Sequence, residues 1–305
     1  MADKATRSDV VSKLDQLRWF TSALIKGSPA QFYSSLHEMV VPDQGDARRA
    51  DAKFWFNMGY WKDARTYADA GTALAERLAD AAQLGPGLEV LDAGFGFGEQ
   101  DLLWASKYHV KRIVGLNVTE KQVAFARERV ERAGFADRID LRLGDVLRET
   151  FAPATFDRVL ALESSHHFRP REGFFRQSYD ILKPGGRLAL ADIIASANGT
   201  PVNRLRAWMT RRMTGSPRAN IYARDVYARK LSDAGFVDVA VESIREYVLP
   251  GNFAYYRQKL TGKRADAIVL DAEIDQETID EAYRTWGEVD LGDYVIASAR
   301  KPLLT

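Results

Sequence analysis

The 305-residue sequence predicts an α/β fold: a doubly wound, mostly parallel sheet of seven strands with helices on both faces. Three observations predict it. Short apolar runs alternate with stretches of helical period from about residue 68 to the end of the chain. The first apolar run, Val90-Leu91-Asp92, turns through Gly94, Gly96 and Gly98 straight into a helical stretch. Later runs end in small or polar residues, at Asn117, Gly144-Asp145 and Glu163, where a parallel sheet collects its ligand groups.

Composition bounds the rest. Hydrophobic residues make up 46% of the chain and charged residues 28%, which suits a globular protein rather than a disordered one. A net charge of +1 gives no global pull toward nucleic acid or membrane. Cysteine is absent, so disulfides, cysteine–zinc sites and a cysteine nucleophile are excluded. The N-terminus shows no apolar core of a leader, and no run has the roughly 18 apolar residues of a membrane span. The expectation is a cytoplasmic protein with no nucleic-acid partner.

The elements follow in order. Residues 8–40 read as one or two amphipathic helices, with Val10, Leu14, Leu17, Phe20 and Leu24 at helical steps. Residues 54–64, FWFNMGYWKDA, are dense in aromatics and read either as a packing plug or as a lid using Tyr60 or Trp61. A helix over 68–83 stops at Leu84-Gly85-Pro86-Gly87. The opening strand and glycine turn follow, with a helix over Asp101 to Tyr108. Strands are expected at Arg112–Leu116, Ile139–Leu143, Phe156–Leu162, Arg187–Ile194, Val237–Ser243 and Tyr294–Ala299. Thr119 is placed as the cap of a helix running to Ala133. Further helices are expected at 173–182, 200–218, 223–234, 253–260 and 274–286. The division expected is an N-terminal helical extension or lid over 1–66 and a main domain over 67–305. Cap insertions fall near 197–225 and 250–288, and self-association would run through the N-terminal helices.

The glycine turn narrows the ligand. Its spacing is G-x-G-x-G, with Glu99 where a dinucleotide motif has its last glycine. Asp92 sits immediately before the turn. A carboxylate there repels a pyrophosphate and suits a cationic, phosphate-free ligand.

VLDAGFGFG, VGLNVTEKQV, GDV, FDRVLALESSHHF and LKPGGRLALADI, in this order over residues 88–195, resemble the motifs of class I S-adenosylmethionine-dependent methyltransferases. NMGYWKDA, LESSHHF, AGFVDV and VIASARKP are similar to the erythromycin-type macrolide sugar O-methyltransferases, over most of residues 55–300. The resemblance implies a Rossmann-like methyltransferase using S-adenosyl-L-methionine and releasing S-adenosyl-L-homocysteine. It implies that Gly94, Gly96 and Gly98 approach the methionine part, with Asp92 orienting its amino group. It places Asn117 at the ribose hydroxyls, where the pattern normally has a carboxylate, helped by Thr119 or Gln122. It gives Asp145 and the Val146 amide the adenine, and extends the cofactor set to Tyr60, Gln100, Val118, Gly144 and Leu162.

The ESSHH segment follows the fourth strand, where a reactive methyl group would point. Methyl transfer to a hydroxyl needs positioning and a base, and an unperturbed imidazole near pKa ~6.5 serves at neutral pH. The resemblance favours His167 as base, with His166 second; His37 and His109 read as surface or packing residues. Glu163 is the remaining catalytic candidate: a structural tie, a hydroxyl ligand, a cofactor contact, or the base of a C-methyltransferase acting on a lipid, isoprenoid or quinone-type acceptor. Asp192 has no acidic cluster beside it, so no metal is expected. Trp208 and Met209, among the arginines of 204–218, read as core stripe or as a wall of the acceptor pocket opposite Trp61. The function expected is methylation of a small secondary-metabolite hydroxyl, as in antibiotic biosynthesis. A dinucleotide-dependent oxidoreductase and a non-catalytic cofactor-binding protein are the alternatives from other classes.

Overall fold

The computed structural model describes residues 53–194, 217–261, 274–286 and 292–303. The helices expected over 8–40, Trp208 and Met209 lie outside the described residues, as does the arginine-rich stretch before Pro217.

The strands are β1 (Glu89–Ala93), β2 (Arg112–Asn117), β3 (Ile139–Leu143), β4 (Phe156–Leu162), β5 (Leu182–Ile194), β6 (Val237–Ser243) and β7 (Asp293–Arg300). They form one seven-stranded sheet in the order β3-β2-β1-β4-β5-β7-β6. The first five pair in parallel. β7 runs antiparallel between β5 and β6.

Alternation of side chains sends residues of the same strand to opposite cores. Val90, Ile113, Leu160 and Ala189 join one core, and Leu91, Val114, Val159 and Leu188 the other. Both faces are therefore covered, which is why the strands read as continuous apolar runs. The described helices are α1 (Tyr67–Ala82), α2 (Glu99–Lys107), α3 (Glu120–Arg132), α4 (Arg171–Ile181), α5 (Arg224–Asp233), α6 (Arg245–Thr261) and α7 (Gln276–Trp286).

α1 shows how the sequence makes these helices. The Thr66 hydroxyl accepts from Asp69 N at the N-cap, and Gln83 ends the helix in the left-handed region. Leu74, Leu78 and Ala82 are fully buried on one face, each leucine contributing about 1.5–3 kcal/mol of burial.

Several boundaries differ from expectation. β5 starts at Leu182, because Leu182 pairs with Phe156 before a register shift carries the strand to the Arg187–Arg158 pair. Lys183-Pro184-Gly185-Gly186 is thus an irregular strand start, not a stop. α4 starts at Arg171, two residues before the expected Gly173, with Pro170 as its N-cap. α6 is longer than expected and runs through Pro250.

Candidate active site

The strand order reverses between β1 and β4, so their carboxyl ends part and leave a crevice. The glycine turn fills one lip of it. Gly94 has φ +98°, and a Cβ there would stand 2.4 Å from Ser164 Cβ, so only glycine fits. The Ser164 hydroxyl donates to the Ala93 carbonyl and ties the loop after β4 to the turn. Gly98, at φ +75°, is the N-cap of α2.

Asp92 is fully buried and accepts from Gln100 Nε2 at 3.0 Å. Burial pushes the Asp92 carboxyl up to about 7, and Asp101, in the first turn of α2, is raised as well, by burial and by the Asp92 charge. Asn117 ends β2. Its Nδ2 donates to Gln122 Oε1 at 2.9 Å and to the Gly96 carbonyl at 3.3 Å, while its Oδ1 accepts from Thr119 N. Thr119 occupies the N-cap of α3, but its hydroxyl makes no cap bond. Asp92 Oδ1, Thr119 Oγ1 and Gln122 Nε2 are buried with no hydrogen-bond partner in the protein. Buried polar atoms are rarely left so, and these three suit an ammonium group and ribose hydroxyls. Val118 and Leu143 stand 45% and 50% exposed at the ends of β2 and β3, an apolar surface suited to a purine. Gly144 N donates to the Asn117 carbonyl and holds those two strand ends together. Asp145 turns the chain, its Oδ1 accepting from Leu147 N at 3.0 Å, and Val146 packs into the core beyond it.

The other lip carries the histidines. Leu162 ends β4 and is buried; Glu163 N donates to the Ala191 carbonyl, which sets Asp192 beside this loop. Ser165–His167 form one 3₁₀ turn, with the two imidazole rings 3.9 Å apart. His166 Nδ1 lies 3.3 Å from Asp192 Oδ1, at ion-pair distance rather than in an aligned hydrogen bond. Asp192 is wholly buried in β5, where it also meets Arg171 Nε at 3.1 Å, Ser165 Oγ at 2.5 Å and the Tyr227 hydroxyl at 3.0 Å. Burial works to raise the Asp192 carboxyl, but the Arg171 charge and the His166 and Ser165 contacts outweigh it and hold it low. Asn220 Nδ2 donates to the carbonyls of His166 and Phe168, fixing the backbone of the loop. Among the described residues no group of three or more histidines or acids is placed to hold a metal ion.

A methyltransferase-domain model matches residues 91–190, the span of the glycine turn, the histidine loop and most of β5. Erythromycin 3''-O-methyltransferase of Saccharopolyspora erythraea is 38% identical to this chain, over 81% of this chain and 84% of its own length. The chain belongs to the S-adenosylmethionine-dependent methyltransferases. The 27-O-demethylrifamycin SV methyltransferase of Amycolatopsis mediterranei is 32% identical, over 80% and 89% of the two chains. The solved [4+2]-cyclase SpnF superposes with a TM-score of 0.66 at 22% identity, covering 89% of this chain and 96% of that one. That likeness is one of fold. The dinucleotide-dependent oxidoreductase is set aside by family membership.

Residues 53–61 of the methyltransferase bridge the helix after the glycine turn and the loop after β4. Phe54 N donates to Glu99 Oε2 at 2.8 Å, and Met58 N to Glu163 Oε1 at 2.7 Å. Phe56 stacks edge-on with Phe97 of the glycine turn at 5.6 Å. One expected site residue lies elsewhere. Trp61, expected to wall an acceptor pocket, is 2% exposed and packed among Tyr67, Tyr255 and Gly251, its Nε1 donating to the Met58 carbonyl. It is a packing residue because Gly251 of α6 leaves room for its ring. The Tyr60 ring, expected at the cofactor, lies against Tyr247 and Arg77. No described helix is long and apolar enough to cross a membrane.

Sequence reasoning overlooks Asp101 and Arg171 and gives Asp192 no role. A carboxylate inside the apolar run LALADII is a usable signal, since a buried charge must find partners.

Proposed function

We propose that this methyltransferase methylates a hydroxyl of a secondary-metabolite acceptor of macrolide or related polyketide type, with His166 as general base. The observation that carries the reading is the buried Asp192–His166 contact in the loop after β4. Asp192 lies against Nδ1, so the opposite nitrogen, Nε2, is the one available to an acceptor hydroxyl. A buried carboxylate at Nδ1 fixes the ring and stabilises the imidazolium formed when Nε2 takes the proton. Arg171, Ser165 and Tyr227 keep that carboxylate ionised and in place. This favours His166 over His167, the first choice of the sequence reading. The cofactor, when bound, supplies an electrophilic methyl group on sulfonium. The glycine turn, Asp92, Asn117 and Gln122 would hold it, and Phe56 with its neighbours would keep water from the crevice. The relatives named for erythromycin and rifamycin support the hydroxyl and the acceptor class.

Glu163 keeps the second reading, a C-methyltransferase base. Its Oε1 already accepts from both Met58 N and the Tyr294 hydroxyl, which supports a structural tie instead.

The test is methyl transfer from S-adenosylmethionine to a panel of macrolide glycosides and aglycones bearing free hydroxyls, followed by mass spectrometry. The expected result is one added methyl on oxygen. His166→Ala should lower kcat by roughly 10²–10⁴-fold and His167→Ala by far less. Equal losses, or methylation at carbon, would overturn the assignment.

A further inference from the structure

Asp92 and Asp101 are both fully buried, one at the end of β1 and one in the first turn of α2. Their side chains are in hydrogen-bond contact. Two bare carboxylates cannot bond to each other, because neither has a donor. Contact therefore requires a proton on one of them. Gln100 Nε2 already donates to Asp92 Oδ2, which makes Asp92 the better place for negative charge. No other side chain donates to Asp101, whose donor contact is its own backbone N–H, which makes it the better place for the proton.

The surroundings offer no charge to relieve the pair. On α2, Glu99 pairs with Arg129 of α3, and Lys107 pairs with Glu76 of α1. β2 and β4 place Gly115 and Leu160 beside Asp92. Glu163 and the His166–Asp192 pair belong to the far lip, and the cation nearest that lip, Arg171, is spent on Asp192. Among the described residues no lysine, arginine or histidine forms an ion pair with Asp92 or Asp101. Asp92 Oδ1 is the acceptor left over, at the base of the glycine turn.

We propose that Asp101 is a positioning residue for the cofactor's amino group: it keeps a proton, donates it to Asp92, and leaves one negative charge on Asp92 to meet the ammonium. The proposal rests on the ammonium of the cofactor lying at Asp92. It has a consequence that a packing role lacks. In the free protein, burial holds both carboxyls up, so near neutral pH the pair retains more than one proton part of the time. A bound ammonium favours ionised Asp92 and drives that extra proton out. Binding then releases protons, and affinity falls as pH drops through the titration of the free pair.

The experiment is titration calorimetry of the full chain with S-adenosylhomocysteine, in phosphate and in bis-Tris, from pH 5.5 to 7.5. This range lies below that in which an α-amino group loses its proton, about 7.7–8.0. The wild type should release a fraction of a proton, read as heats that differ between buffers. Its Kd should weaken by roughly tenfold or more from pH 7.5 to 5.5, as one coupled proton requires. Asp101→Asn keeps a donor for Asp92 and leaves Asp92 as the titrating group. It should bind within about threefold of wild type at pH 7.5, with a similar pH profile and buffer dependence. Asp101→Ala, checked for native circular dichroism, should bind about tenfold more weakly at pH 7.5, the loss of one charge-assisted hydrogen bond, and its Kd should begin to weaken at a higher pH than that of wild type, because Asp92 loses a donor that favours its charge. Buffer-independent heats with a flat Kd in the wild type, Asp101→Asn binding as weakly as Asp101→Ala, or an Asp101→Ala profile matching wild type would overturn the proposal while leaving the cofactor site standing. Failure of S-adenosylhomocysteine to bind at any pH would overturn the Asp92 site itself, and Asp101 with it.

Discussion

Glu163 joins three parts of the molecule through one side chain. It sits just past β4, its Oε1 accepts from Met58 N of the bridging segment, and the same oxygen accepts from the Tyr294 hydroxyl of β7. Its backbone has φ +53°, unusual for a residue with a Cβ. Burial pushes its carboxyl up to about 7; the Tyr294 and Met58 donors oppose this, and Asp192 adds to it. The fold thus holds a proton on Glu163 that the unfolded chain gives up near the ordinary glutamate value. Stability from this group is full at low pH and is lost as pH rises from there through about 7. Glu163→Gln keeps the acceptor oxygen and carries no charge. It should melt at the same temperature as wild type near pH 5 and higher near pH 8, by up to about 2–3 kcal/mol of stability. A melting temperature lowered equally at both pH values would show that the carboxyl is needed for geometry. Gly94 is the complementary case, since an added Cβ would collide with Ser164 and φ +98° would be strained. Gly94→Ala should cost about 1–3 kcal/mol and weaken S-adenosylhomocysteine binding, both readable from one thermal-shift series.

At the scale of elements, residues 53–61 and α6 lock together around Trp61. The Met58 carbonyl accepts from Trp61 Nε1 and from Asn252 Nδ2, and Trp61 N donates to the Tyr247 carbonyl. Trp61→Ala should therefore destabilise the protein by roughly 3–5 kcal/mol, the cost of emptying an aromatic core site. At a temperature where the variant stays folded, the acceptor KM should be nearly unchanged. A raised KM with unaltered melting would return Trp61 to the acceptor pocket. The legible part of this molecule follows the same division. Period and turn chemistry revealed the strands, most helices and the glycine turn, because those signals are local. The placement of Asp92 and Asn117 at the ends of parallel strands, and of the two histidines in the loop after β4, was readable because the strands themselves were. The rest depends on contacts between distant residues. Phe54 reaches Glu99 across 45 residues and Met58 reaches Glu163 across 105, and no local pattern encodes either. The orientation of His166 depends on Asp192, which only the β4–β5 register brings near. Trp61 looked like a lid because aromatic density alone does not tell a lid from a plug; the space opposite Gly251 decides it.

Over the whole molecule, the two ends of the sheet are built for different tasks. At the amino ends of the strands, Glu89, Asp157, Lys111 and Lys183 form partly exposed ion pairs that satisfy one another. A cavity of about 170 Å³ opens there among Val90, Arg112, Val114 and Phe156, on the far side from the glycine turn. The carboxyl ends instead concentrate buried groups that the protein leaves incompletely satisfied: Asp92, Asp101, Thr119 and Gln122. Each costs stability in the free protein, and a ligand that satisfies them returns it. The cofactor product should therefore act as a strong stabiliser. Near a hundredfold excess over its Kd, S-adenosylhomocysteine adds about 2.7 kcal/mol, which for a chain of this size raises Tm by roughly 4 °C. NAD, whose pyrophosphate would face the buried carboxylates beside the glycine turn, should leave Tm unchanged at the same concentration. The two ligands share an adenosine, so a site reading only adenine and ribose would respond to both. A shift with S-adenosylhomocysteine alone places the discrimination at the Asp92 end of the turn, where the charge is. Equal shifts would move it to the ends of β2 and β3.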